Sequence, residues 1–232
     1  IYYLSQAALC GRDILWDQNG KYNLAIRKTL ENIYQTYSGN RDTSDYDNFL
    51  LYLKRVWFSN GIYHHYSTDK ILPAFSQDYF RELIAKSDPK GFPELEGKTV
   101  EESLEILIPV IFDKDYLGKK VNQQPGTDLV AGSAVNFYQN ITQKEVETFY
   151  SSLKDKNDST PVSYGLNSRL VGYNGKPEEI VWKSGGLYGQ AIDKIIYWLE
   201  KAQSVAETPE QLTGIEKLIA YYKTGDLSTW DE

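Results

Sequence analysis

Leu166-Asn167-Ser168-Arg169-Leu170-Val171-Gly172-Tyr173-Asn174-Gly175-Lys176-Pro177-Glu178-Glu179-Ile180-Val181-Trp182-Lys183 is the stretch that decides the fold class. Leu166 to Tyr173 and Glu179 to Lys183 are strand-forming runs, and the Asn174-Gly175 pair between them accepts the positive φ angles of a tight turn. A β-hairpin is predicted here, and it lies among helices. On its N-terminal side, Thr142 and Glu145 form a capping box that opens a helix to about Leu153, followed by the charged loop from Lys154 to Thr160. On its C-terminal side, Ser184-Gly185-Gly186 releases the chain into a long helix with Ile192, Ile195, Ile196 and Leu199 inward. Thr208 and Pro209 then start a last long helix, with Ile215, Leu218, Ile219 and Tyr222 inward and Gly225 at its end.

Further out, the N-terminal part reads as three helices. Tyr2 to Trp16 carries Leu4, Ala7, Ala8, Ile14 and Leu15 at helical spacing, and Asn19-Gly20 stops it. Asn23 to Tyr37 is the second helix, with Leu24, Ile26, Leu30, Ile33, Tyr34 and Tyr37 buried. Thr43 or Ser44 caps the third, whose stripe of Phe49, Leu50, Leu53, Val56 and Trp57 leads to Asn60-Gly61. Ile62 to Phe75, rich in β-formers and closed by Pro73, reads as an extended segment. Ser76 caps a helix from Gln77 to Ala85, and Ser87 to Gly97 is a surface connection. Thr99 and Glu102 box a helix through about Ile108, where Pro109 is expected to kink or end it. Tyr116 to Asn140 reads as loops and short strand-like pieces, of which Ala131 to Tyr138 is the best. The resulting expectation is an α+β chain, mostly helical with a minor β component.

Composition narrows the function. The 232 residues suffice for one large domain or two small ones. With 25 Lys and Arg scattered among 32 Asp and Glu, the net charge of -7 offers no basic stripe to a nucleic acid. No apolar run approaches the roughly 20 residues that span a bilayer, so no membrane partner is expected. The single cysteine, Cys10, permits no internal disulfide and reads as an inert packing residue. That cysteine usage and the lack of a visible export signal point to the cytoplasm, with export left open because the chain reads as lacking its true N-terminus. The chain opens on Ile1 and closes on Trp230-Asp231-Glu232, where a new helix begins, so it reads as a fragment.

Chemistry-bearing residues are few. A catalytic zinc usually takes three protein ligands, and the helical form sets two His four or five residues apart. The two His here, His64 and His65, are adjacent, and neighbours on a strand point to opposite faces, so no zinc site is expected within the chain. Nor is there a Ser-His-Asp set beyond those two, or a Gly-rich phosphate loop. The acidic pairs Glu101-Glu102 and Glu178-Glu179 read as surface charge, as adjacent acids near helix starts usually are. Asn60 to Lys70, where rings and hydrogen-bonding groups follow a glycine, reads by composition as a half-buried strand with His at the surface. It is also what a peptide-binding edge requires, which makes it the place where function would concentrate.

The run Lys54-Arg55-Val56-Trp57-Phe58-Ser59-Asn60-Gly61-Ile62-Tyr63-His64-His65-Tyr66-Ser67, continued through Asp69-Lys70 to Pro73 and Phe75, closely resembles the bacterial branch of the dipeptidyl peptidase III family. Tyr164-Gly165-Leu166-Asn167-Ser168, Val181-Trp182-Lys183 through Gly189, Tyr197-Trp198-Leu199-Glu200-Lys201-Ala202 and Tyr221-Tyr222-Lys223-Thr224-Gly225-Asp226-Leu227 resemble it in the same order. The resemblance implies a two-lobed zinc metallopeptidase that releases dipeptides from the N-terminus of short peptides. The family's H-E-x-x-G-H zinc motif is not in this chain. Residues 1–232 would be the N-terminal part of the other lobe, with helices around a small β-barrel or sheet. The zinc and the zinc-binding lobe would belong to the longer protein, and no residue here would be catalytic. The resemblance places Tyr66 against the substrate's N-terminal side chains, Asn60, Gly61 and Ser67 along the same cleft wall, and His64 and His65 beside them. The rival reading is a non-catalytic, aromatic-rich helical module that binds peptide or glycan.

Overall fold

The computed structural model describes residues 1–155 and 157–231. Of these, 52% are helical and a small three-stranded mixed sheet supplies the β component, so the chain is α+β and mostly helical. Lys156, in the charged loop, lies outside the described residues. The chain forms two compact units: one is Trp16–Val135, the other joins Ile1–Leu15 to Asn136–Glu232.

The helix expected across Tyr2 to Trp16 is two helices, α1 (Tyr2–Cys10) and α2 (Arg12–Asn19). The break is at Gly11, whose N–H turns back to Ala8 and Leu9. Glycine loses the most backbone freedom in a helix, so it is the natural place for the interruption. The boundary between the two units then falls within α2, between Leu15 and Trp16.

The Trp16–Val135 unit is built on α3 (Asn23–Thr36), α4 (Ser44–Ser59), α5 (Gln77–Ala85) and α6 (Val100–Phe112). Thr43 caps α4 by accepting the Tyr46 N–H, Ser76 caps α5, and Thr99 with Glu102 completes a reciprocal box on α6. A 3-10 turn, Pro89–Gly91, punctuates the surface connection. Ile26, Leu30, Ile33, Phe49, Val56, Phe80, Leu83, Leu107 and Ile111 are sealed from solvent in one core. Tyr34, expected inside, is exposed. Pro109 does not end α6, which continues to Phe112. The bond it forfeits is to the carbonyl of Glu105, on an exposed face, while Leu107, Ile108, Val110 and Ile111 bury the opposite side. Packing there outweighs the missing donor.

The other unit holds β1 (Tyr138–Gln139), α7 (Gln143–Leu153), β2 (Ser168–Tyr173), β3 (Lys176–Val181), α8 (Gly189–Gln203), α9 (Pro209–Thr224) and α10 (Leu227–Asp231). The predicted hairpin is β2 and β3, in register from Ser168 opposite Val181 to Tyr173 opposite Lys176, with Asn174 and Gly175 at φ 49° and 75°. Those angles make a type I′ turn. β1 adds in parallel on the far edge of β2, Tyr138 opposite Leu170, so the β part is a sheet of order β1-β2-β3. Of the strand-like run Ala131 to Tyr138, only its last residue lies in a strand. Ala7 of α1 packs with Ile192, Ile195, Ile196 and Leu199 of α8 and Ile219 of α9 in a second core.

Candidate functional site

Asn60 and Gly61 end α4 by a Schellman motif. Asn60 takes the left-handed conformation at φ 51° and donates its N–H to Trp57 O at 3.3 Å, while the Gly61 N–H reaches Val56 O at 3.1 Å. Gly61 is buried at φ 151°, and a Cβ there would sit 2.4 Å from Asn23 Nδ2, so both its angle and its neighbours demand glycine. Asn19 Nδ2 donates to Asn60 O at 2.5 Å, and Asn23 Oδ1 accepts the Ile62 N–H at 3.4 Å.

Beyond Ile62 the chain does not run on as the extended segment predicted. It doubles back in a short loop. The Ile71 N–H donates to Ile62 O at 2.7 Å, the His64 N–H to Asp69 O at 2.8 Å, and the Thr68 N–H to His64 O at 3.1 Å, with Thr68 at φ 63°. Segments more than forty residues away then grip the loop. Lys70 N–H donates to Gly118 O at 3.1 Å, Lys120 N–H to Thr68 O at 2.8 Å, and Tyr63 Oη to Leu117 O at 2.8 Å. Lys119 pairs with Asp69 at 3.2 Å. That bond, then one with Ser67, holds the Asp69 carboxyl below the usual carboxylate range. Lys70 is buried, and its Nζ donates to the carbonyls of Asp113 and Tyr116 just past the end of α6. Burial lowers its amine to about 8.

The loop's tip is a row of rings in solvent. His65 stands 3.7 Å from Tyr66 and 5.0 Å from Phe58, centroid to centroid, the second pair edge to face. Tyr66 is 88% exposed and Phe58 74%. Of the residues singled out from sequence, His64, His65, Tyr66 and Ser67 are exposed on this tip and Asn60 is exposed at its root, whereas Gly61 is buried beneath. Phe58 was missed because it lies off the buried stripe of α4. Asn19 and Asn23 were missed because Asn19-Gly20 reads locally only as a helix stop.

At this tip the His65 ring packs against Phe58 and Tyr66, and among the described residues there is no group of three or more His, Cys, Asp or Glu able to hold a metal ion. What the tip offers is apolar ring area ringed by hydroxyl, imidazole and amide groups, a surface suited to side-chain recognition. A cavity of about 690 Å³ opens beside its base, lined by Asp69, Lys70, Tyr116, Leu117, Lys119 and Asn122 among others. Among the described residues no helix is long and apolar enough to cross a membrane. Comparison with the models of known protein families returns no match, and comparison with curated proteins returns none either.

Proposed function

We propose that this chain supplies peptide-binding surface to a zinc-dependent exopeptidase of the dipeptidyl peptidase III kind, holding a short peptide that residues outside the chain cut. The observation that carries the reading is the exposed row of Phe58, at the end of α4, with His65 and Tyr66, on the clamped loop that follows it. Exposed rings on a mobile segment would lose entropy on binding, whereas these are held by a base of backbone bonds, and preorganised aromatic area is an efficient anchor for a side chain. The resemblance from Lys54 to Ser67 falls on this tip and its root. Dipeptide release requires the metal and the general base of the missing lobe.

Zinc content and dipeptide release from short peptides, measured on the longer protein, test the proposal together. Metal at one equivalent with N-terminal dipeptide products is the expected result. Peptide binding with neither metal nor products would favour the binding-module reading. Within an active enzyme, Tyr66→Ala is expected to raise KM roughly tenfold at unchanged kcat and zinc content, the signature of lost uniform binding; unchanged kinetics would remove Tyr66 from the site.

A further inference from the structure

Tip residues that touch so little around them inherit their direction from the loop's base, and the base rests on two asparagines from the corner between α2 and α3. Asn23 is fully buried. Its Oδ1 accepts the Ile62 N–H, and Ile62 O in turn accepts the Ile71 N–H that closes the loop. Its Nδ2 has no hydrogen-bond partner among the described residues. An unpaired buried donor is a cost that an apolar side chain of similar size would avoid. The acceptor for Ile62 is what an apolar side chain would lack. The surroundings are fitted to this amide: a Cβ at Gly20 would lie 2.7 Å from Nδ2, and one at Gly61 2.4 Å. Asn19 adds a second hold on the residue before Gly61, at the carbonyl of Asn60.

We propose that Asn23, with Asn19 beside it, positions the peptide-contacting tip, fixing the backbone from Asn60 to Ile62 so that Tyr66 and His65 face the peptide. Neither asparagine touches the peptide. The inference rests on the tip being peptide-binding surface.

The test uses the longer protein with Asn23→Ala, Asn19→Ala and, as a reference, Tyr66→Ala. Three quantities are read: peptide affinity by titration with a short fluorescent peptide, KM and kcat for dipeptide release, and amide hydrogen exchange from Ile62 to Thr68. Both asparagine variants are expected to weaken peptide binding and raise KM roughly tenfold with kcat and zinc unchanged, and to speed exchange at the tip, because displaced binding groups act through affinity and not through the chemical step. If Asn23→Ala fails to fold, Asn19→Ala, at a part-buried position, decides alone. Normal affinity in a folded Asn19→Ala or Asn23→Ala protein whose tip exchanges faster would overturn the positioning role while Tyr66→Ala still weakens binding. If instead the unaltered protein binds no peptide and Tyr66→Ala changes nothing, the reading of the tip falls, and the positioning role falls with it.

Discussion

At Asp69 one carboxylate ties the tip to the rest of its unit. Its side chain meets Lys119, its carbonyl receives the His64 N–H, and its acidity is strengthened first by the Lys119 bond. A carboxyl whose folded pKa lies below its unfolded value of 3.8 contributes stability that is present above that value and is lost as pH falls through the folded pKa. Asp69→Asn is therefore expected to loosen the tip at neutral pH, seen as faster exchange of the His64 amide, and to leave little difference from the parent below the folded pKa. Equal exchange at neutral pH would show that the ion pair does not hold the loop. The crowding of rings and polar groups after a glycine, from Asn60 to Lys70, was legible in the sequence. The shape of the segment was not. Bonds within the loop fold it back, but those that hold it in place come from Leu117 to Val121, and hydrogen bonds across so many residues leave no trace in local propensity.

Elements were legible wherever their ends carry their own chemistry. Thr43, Ser76, Thr99, Thr142 and Thr208 each accept a backbone N–H two or three residues into the helix they open, as their sequence positions announce. The I′ turn at Asn174-Gly175 is equally local. Gly175→Ala is expected to cost roughly 1–2 kcal/mol, because φ 75° brings a Cβ against the carbonyl, and the loss will appear as a lower melting temperature. Where packing overrides local chemistry the sequence misleads, and α6 is the case in point. Pro109 breaks the helix by every local rule, yet the buried row from Leu107 to Ile111 carries it through. Pro109→Ala restores a donor at an exposed position and removes the ring from the preceding turn. Provided the helix keeps its present path, the variant is expected to melt at a higher temperature; a lower value would mean that a Pro-dependent bend positions the core residues.

At the scale of the whole chain, the sequence allowed one large domain or two small ones, and the division actually found was hidden because it is discontinuous. The first helix belongs with the last ones: Ala7 lies in the core formed by Ile192, Ile195, Ile196, Leu199 and Ile219, with Cys10 and Ile14 packed against it. Periodicity marks each of those faces as apolar but does not say which face meets which. Each unit having a core of its own, their stabilities are expected to separate under mutation. Deleting residues 1–11 uncovers the α8 face, and re-exposing buried isoleucines costs about 1.5–3 kcal/mol for each one fully uncovered. The remnant's α8 and α9 amides will then exchange faster, whereas those of α3, α4 and α6, around Leu30, Val56 and Leu107, will keep their protection. Leu107→Ala will do the opposite, at a cost of about 2–5 kcal/mol confined to the Trp16–Val135 unit. Protection lost throughout the chain in either variant would show that the two cores unfold as one, and a change in either would then reach the tip at Tyr66.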